Sequence, residues 1–318
     1  MYRALLRLLA ISCGVLGLYF VATPSTSALS LAPSVLEVQL NPGEIKTVAV
    51  QVTNDEAAPL RLYPSIQKFV PFGTEGQQQF LPPTDIEGLP SWTFVGVSDR
   101  VLQPGETQTV PIEIRIPADA PEGGMYEAIF FSAQLPVPGQ ASLGIRSRIG
   151  VLALVTVGTP AATELTVTDW RLEEAGQRAA LQGTVYVKLK NVGRTHVTPR
   201  GELVIRGTLG DEVARLPLNS TEARVLPASE RVFEVRFGAE RERPWLSGIR
   251  EELSSFGLGR YTISLEGVTG VRNLPTPLSF VVLPWRTLAM LIGGVLVVGL
   301  SFSLYRRRLI RSLQTPRT

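Results

Sequence analysis

The chain has 318 residues, of which 44% are hydrophobic and 19% are charged, and it contains one histidine and one cysteine. These counts exclude a structural zinc site, which needs about four Cys or His ligands, and any mechanism that uses two histidines. The net charge is +3, but residues 30–158 carry 13 acidic and 7 basic side chains, and the basic excess lies at the chain ends. A nucleic-acid-binding protein concentrates positive charge on its folded part, so we expect no nucleic-acid partner.

Residues 1–28 have the pattern of a secretory signal peptide. Arg3 and Arg7 form a basic start, residues 8–22 are apolar, and small residues precede a predicted cleavage after Ala28. Cys13 lies inside the apolar stretch, so the exported chain would contain no disulfide. The alternative is an uncleaved N-terminal anchor.

The region from Val35 onward alternates apolar and polar residues in short segments, which is typical of half-buried antiparallel strands. In residues 110–116, for example, every second residue is Val or Ile. Turn signals such as Asn-Pro-Gly at 41–43 separate these segments. Residues 151–157 are apolar at almost every position, which predicts a central strand.

An internal repeat indicates two domains of one design. Residues 47–54 align without gaps to residues 184–191, and both segments end in Asn before a turn. About seven short strands per copy predict an all-β chain of two tandem immunoglobulin-like β-sandwich domains, at 30–158 and 159–284.

Two tyrosines are predicted to be structural. Gly124-Met125-Tyr126 resembles Gly259-Arg260-Tyr261, and each segment opens a late strand. This is the position of a tyrosine corner, in which the ring packs in the core and the hydroxyl binds an upstream backbone group.

The C-terminal part predicts a single transmembrane helix at 286–305. Residues 287–305 carry no charge and span about 28 Å as a helix, with Trp285 at one edge and Tyr305 at the other. The basic tail, residues 306–318, predicts a cytoplasmic C-terminus and therefore a type I protein of the cell membrane, with most of the chain on the extracytoplasmic side. A buried helix of a globular protein is the alternative.

The segment 70–97 is the best candidate for ligand binding, because it is long and rich in aromatic residues. Phe72, Phe80 and Trp92 are the predicted ligand-binding residues; the alternative is an irregular edge strand whose aromatics fill the end of the sandwich. Asp85, Glu87 and Asp99 match no known calcium loop, so no metal is predicted.

No enzymatic function is predicted. A serine nucleophile needs a base, and His196, the only imidazole, is predicted to be a surface loop residue. We therefore expect no catalytic residues and no cofactor.

Residues 90–134 contain an ordered series of motifs: Pro-Ser-Trp at 90–92, Val-Leu-Gln-Pro-Gly-Glu at 101–106, Ile-Arg-Ile-Pro-Ala-Asp-Ala at 114–120 and Gly-Met-Tyr at 124–126. This series resembles the N-terminal, peptidoglycan-binding domain of WxL-interacting proteins. The strand pattern is also similar to that of immunoglobulin-like pilus chaperones.

The first resemblance implies a membrane-anchored, non-enzymatic cell-surface protein that binds cell-wall polymer or a partner surface protein. The second leaves open an assembly factor that chaperones exported subunits by strand addition. A structural spacer is a third possibility.

Overall fold

A computed structural model of the chain describes residues 29–97, 101–133, 148–159, 162–173, 177–178, 180–238, 258–271 and 273–313. The predicted signal peptide and the last residues of the basic tail lie outside the described residues, as does Asp99.

The first domain is a sandwich of two sheets in which alternate residues of each strand face the core. Its elements are β1 (Leu29–Ala32), β2 (Val35–Leu40), β3 (Ile45–Asn54), β4 (Leu60–Arg61), β5 (Tyr63–Phe72), β6 (Gln77–Phe80), α1 (Leu89–Trp92), β7 (Thr93–Val95), β8 (Val101–Leu102), β9 (Thr107–Arg115), β10 (Gly123–Ser132) and β11 (Arg148–Val157). One sheet has the order β1-β3-β9-β7, the other has the order β2-β11-β10-β5-β6, and β4 and β8 form a small ladder.

The second domain repeats this plan. Its strands are β12 (Leu165–Leu172), β13 (Gln177–Arg178), β14 (Gly183–Asn191), β15 (Glu202–Arg206), β16 (Glu212–Pro217), β17 (Glu230–Phe237), β18 (Gly259–Glu266) and β19 (Leu278–Val282). The sheets have the orders β12-β14-β17 and β13-β19-β18-β15-β16.

Both domains divide their first strand between the two sheets, as an immunoglobulin-like fold allows. β1 pairs antiparallel with β3, whereas β2 pairs parallel with β11. In the same way, β12 pairs antiparallel with β14, and β13 pairs parallel with β19. The all-β prediction of two tandem immunoglobulin-like sandwiches is therefore confirmed.

The repeated asparagine at the end of β3 has a defined structural task. Asn54 is fully buried, and its Nδ2 donates to the carbonyl oxygens of Ala58 (2.9 Å) and Leu102 (3.1 Å). Its Oδ1 accepts the backbone N–H of Glu56 at 3.0 Å. One side chain thus satisfies three backbone groups where the chain crosses between the sheets.

Asn191 makes the same three contacts at the end of β14. Its Nδ2 donates to the carbonyl oxygens of Thr195 (2.8 Å) and Val225 (2.9 Å), and its Oδ1 accepts the N–H of Gly193 at 2.9 Å. The asparagine that closes each copy of the repeat is therefore a polar clamp inside the core.

The two predicted tyrosine positions are not equivalent, because the strands align one residue differently. Gly123 pairs with Val157 and Gly259 pairs with Val282, at matching ends of their ladders. Both glycines adopt unusual positive φ angles, 140° and 137°. Tyr261 therefore corresponds to Met125. A shift of one residue along a strand moves a side chain to the opposite face.

Neither tyrosine therefore forms the predicted tyrosine corner. Tyr261 lies in the second core and stacks on Phe280, with ring centroids 5.7 Å apart, but its hydroxyl has no hydrogen-bond partner among the described residues. Tyr126 points out of the first domain, and its hydroxyl meets Nδ1 of His196, downstream in the second domain, at 3.5 Å.

The chain leaves the second domain directly into a long helix, α2 (Trp285–Leu313). Within the described residues, its stretch Trp285–Arg307 is the one helix long and apolar enough to cross a membrane. The predicted C-terminal apolar helix is therefore present.

Candidate functional site at the domain junction

The outer face of the five-stranded sheet of the first domain is apolar, although the outer face of a sandwich is usually polar and exposed to solvent. Ala128, Phe130 and Leu154 point out from β10 and β11 and are all buried. They form one cluster with Leu226 of the second domain. The second domain therefore packs on this face. This explains why the run 151–157, correctly predicted to be a central strand, is apolar on both sides.

Backbone hydrogen bonds connect the two domains at separate points. Gly124 donates its N–H to the carbonyl oxygen of Arg194 at 2.7 Å, and Val232 donates its N–H to that of Thr74 at 2.8 Å. Thr74 lies in the turn between β5 and β6, so this hairpin reaches across to the second domain. These bonds restrict the angle between the domains.

The hairpin turn fits the second domain because one residue has no side chain. Gly76 has a φ of +81°, and a Cβ at this position would collide with the guanidinium of Arg231. Arg231 in turn donates from Nη1 to the carbonyl oxygen of Arg224 at 3.0 Å. Among the described residues it has no carboxylate within ion-pair distance.

A polar cluster at the same junction surrounds His196. Glu37 of β2 binds Arg224 directly and lies 4.0 Å from Nε2 of His196. The ring of Tyr126 meets the imidazole edge-on, with centroids 5.8 Å apart. The His196 side chain is only 12% exposed, so its prediction as a surface loop residue was wrong.

Burial controls the titration of this cluster. Loss of solvent lowers the pKa of His196, the carboxylate of Glu37 opposes that effect, and the charge of Arg224 adds to it. Burial also raises the pKa of the Tyr126 hydroxyl. The imidazole is thus held neutral near pH 7, beside a phenol that remains protonated.

A cleft of about 270 Å³ opens beside the polar cluster, between the β5–β6 hairpin and the second domain. Its apolar walls include Val35, Phe69 and Leu152, and its other side includes Arg224 and Arg231. It combines an aromatic floor with a half-buried guanidinium, and burial lowers the pKa of Arg231.

The three predicted ligand-binding aromatics do not form one surface. Phe72 lines the cleft and is 60% exposed. Phe80 lies on the same hairpin but packs edge-on against Phe130, with centroids 5.1 Å apart. Trp92, on α1, packs against the core of the first domain instead. Ligand binding by Phe72 and Phe80 stays a prediction, and the structure separates Trp92 from them.

An arginine covers the aromatic cluster at the start of β11. The guanidinium of Arg148 lies over the ring of Phe130 at 3.9 Å and over that of Phe80 at 5.9 Å. Its Nη1 also donates to Oε1 of Gln67 at 2.9 Å. The cluster thus extends from the cleft to the first residue of β11.

The same strand has an edge that is only partly covered. β2 pairs with β11 from Leu152 to Val157, so residues 148–151 have no partner strand on that side among the described residues. Leu152 donates its N–H to the carbonyl oxygen of Ser34 at 3.0 Å. Because backbone groups alternate in direction, those of Arg148 and Gly150 also point toward this gap.

The described residues bring no group of three or more potential metal-ligating side chains together. Of the acidic residues in the segment 70–97, Asp85 is paired with Nζ of Lys68 at 2.9 Å. The carboxylate of Glu127, by contrast, lies inside the first core, and neither of its oxygens has a hydrogen-bond partner among the described residues.

Sequence reasoning missed Glu127, His196 and the asparagine clamps. A signal existed for Glu127, since it interrupts an apolar strand, and for Asn54 and Asn191, since both end the repeat. No signal in the sequence placed His196 against the first domain.

No family model and no curated protein sequence matches the chain. Several solved structures of pilus chaperones are similar to it. The class 5 fimbriae chaperone CfaA is 12% identical, with a TM-score of 0.36, over 80% of this chain and 99% of its own. The E. coli chaperone DraB is 15% identical, with a TM-score of 0.32, over 76% and 92%. The Pseudomonas aeruginosa chaperone CupB2 is 12% identical, with a TM-score of 0.33, over 79% and 97%.

These likenesses concern the arrangement of strands, and TM-scores below 0.5 decide nothing about function. None of the comparisons supports membership of the WxL-interacting family.

Proposed function

We propose that the protein is a membrane-anchored assembly factor that holds an extended segment of another exported protein by strand addition at the open edge of β11. The observation that carries this proposal is the edge from Arg148 to Val151, which pairs with no strand on the side of β2 among the described residues. An incoming strand would bind the backbone groups of Arg148 and Gly150 in the gap beyond Ser34, and β2 would limit its length.

The surroundings of this edge suit a peptide better than a sugar. An added strand gains affinity from main-chain hydrogen bonds and specificity from alternate side-chain positions. Here one face is the core beside Val151, which is fully buried, and the other is the cluster of Phe80, Phe130 and Arg148. An apolar side chain of the added strand would contact these groups.

The anchor is the helix α2. Its apolar stretch is followed by Arg306 and Arg307, and a basic flank remains on the cytoplasmic side of a membrane span. We infer that the two sandwiches lie outside the cell membrane and that the protein is a single-pass type I membrane protein. Such an anchor would keep a bound segment close to the membrane from which it emerges.

Binding of peptidoglycan is the second candidate, favoured by the exposure of Phe72 beside the cleft. Sugar rings stack on aromatic faces through their apolar C–H surfaces. The packing of Trp92 against the core removes the largest aromatic face from this candidate.

A pair of substitutions at Arg148 tests strand addition. Arg148→Pro removes the backbone N–H that points into the gap, whereas Arg148→Ala keeps this N–H and removes the same stacking side chain. A photo-crosslinking residue in place of Ser34, which is exposed at the end of the gap, should capture an exported protein in the producing cells.

We expect capture to survive Arg148→Ala and to be lost in Arg148→Pro, with unchanged amide exchange in β10 showing that the domain remains folded. Equal capture by both variants would refute strand addition. Crosslinks to glycan instead of protein would favour the second candidate.

A further inference from the structure

The second domain sits directly on the proposed membrane anchor. β19 ends at Val282 and α2 begins at Trp285, so only Leu283 and Pro284 separate the sheet from the helix. Thr287, in the first turn of α2, is buried. With no stalk between them, the end of the domain from which α2 leaves must lie at the membrane surface.

The ladders show which other residues occupy that end. Val282 pairs with Gly259, so Leu258 lies just beyond the sheet beside the start of the helix. Just beyond the end of β15, the next strand but one from β19, Oγ1 of Thr208 accepts the N–H of Arg260 at 2.9 Å and donates to its carbonyl oxygen at 3.0 Å. Leu209 follows Thr208 in the turn between β15 and β16, roughly 10 Å from β19 at 4.8 Å per strand.

This end carries apolar side chains that the fold leaves uncovered. Leu209 is 94% exposed at the tip of its turn, and Leu258 and Trp285 are more than half exposed. Turn tips normally carry Gly, Asn, Asp or Ser. The exposed leucine between Thr208 and Gly210 therefore does not stabilise its own domain by burial.

Two arginines accompany these apolar residues. Arg260 is exposed, and its Nη2 donates to Oγ of Ser279 at 3.2 Å. Arg286 lies over the ring of Trp285 at 5.5 Å. Leucine, tryptophan and arginine together suit the boundary between lipid headgroups and acyl chains, where apolar groups are buried and guanidinium groups meet phosphate.

We propose that Leu209 and Leu258, with Trp285, form a membrane-contacting rim that enters the headgroup region of the bilayer around α2. The occupant of this surface is the lipid leaflet that α2 enters, because the two-residue link keeps this end of the domain beside the start of the helix. The rim gives the second domain a second point of attachment and fixes its tilt. This inference rests on the proposed anchoring of α2.

Depth-dependent quenching tests the rim in the full chain, reconstituted in vesicles of phosphatidylethanolamine and phosphatidylglycerol. Single cysteines in a Cys13→Ser background carry an environment-sensitive fluorophore, and the quenchers are lipids spin-labelled near the headgroup or in mid-chain. Leu209→Cys tests the rim, and Leu296→Cys, within α2, tests the anchor. The matched control is Leu274→Cys, an exposed leucine in the loop before β19, at the opposite end of the same domain.

We expect the headgroup-labelled lipid to quench position 209, the mid-chain-labelled lipid to quench position 296, and neither to quench position 274. Quenching at 296 with none at 209 would overturn the rim and leave the anchor standing. No quenching at 296 would overturn both.

Because the fluorophore is itself apolar, a second measurement uses the native leucine. Amide exchange in the turn 207–211 should be slower in vesicles than in the Leu209→Asp variant in the same vesicles. Equal exchange in the two proteins would overturn the rim. Leu274→Asp controls for the added charge.

Discussion

The buried carboxyl of Glu127 should make the first domain less stable as the pH rises. Glu127 lies on the core face of β10, is 0% exposed and makes no ion pair among the described residues. The ammonium of Lys68, opposite it on β5, is bound to Asp85 instead. Burial raises the pKa of Glu127 to about 7, and the nearby hydroxyl of Thr93 opposes this rise only in part.

The sign and size follow from proton linkage. The folded state retains a proton that the unfolded state loses near the usual value of 4.5, so Glu127 stabilises the fold fully below pH 4.5. That contribution falls as the pH rises and is lost above about pH 7. The difference between the folded-state pKa of about 7 and the usual value of 4.5 corresponds to about 3 kcal/mol in the free energy of unfolding, at 1.36 kcal/mol per pKa unit.

The variant Glu127→Gln keeps the shape of the side chain and removes its titration. Amide exchange of β10 is measured at each pH in the full-length variant and in the unmodified protein. The ratio of the two exchange rates is free of the intrinsic pH dependence of exchange. Between pH 4.5 and pH 8, the variant should gain protection relative to the native chain by roughly 100-fold. Glu87→Gln, at an exposed carboxyl in the same domain, shows the effect of removing a surface charge. Parallel curves for Glu127→Gln and the native chain would refute the reasoning.

Three further predictions concern the clamps and the junction. Asn54→Ala should destabilise only the first domain and Asn191→Ala only the second, each by about 2–3 kcal/mol through unpaired buried carbonyls, as domain-resolved amide exchange would show. Gly76→Val should strain the β5–β6 turn, push Arg231 away and widen the distribution of interdomain distances in electron spin resonance, while the second domain keeps its own stability. Burial lowers the pKa of His196, so the closed junction binds fewer protons and should loosen as the pH falls below 6.5; His196→Gln should abolish this response, and a response that persists would assign it to another group.

The sandwiches could be predicted from the sequence because one physical rule decides most of their residues. Val110, Ile112 and Ile114 alternate with polar residues, and all three are fully buried. The repeat that ends in Asn54 and Asn191 likewise predicted two copies of one fold. It did not predict that the asparagine side chains bind buried backbone groups.

The domain junction could not be predicted, because its residues show the same local strand pattern as core residues but are buried against the other domain. Two adjacent glycines precede Tyr126, so the sequence offers two alignments with Gly259 that differ by one residue. Only the ladder to β11 selects between them, and the selection moves Tyr126 from the core to the junction. His196 depends on that packing as well.

The open edge of β11 and the packing of the two domains share one side chain. Gly150 has no Cβ, so the ring of Phe130 lies directly over β11, at a place that any larger residue would occupy. The outward face of that ring is covered by Arg148, and Phe130 belongs to the cluster that holds Leu226 of the second domain. A strand added beside Arg148 and Gly150 would therefore act on Phe130, the side chain that positions the second domain. We therefore expect occupancy of the edge and the angle between the domains to be coupled through Phe130, so that interdomain distances in electron spin resonance shift when a strand is bound; unchanged distances would contradict this.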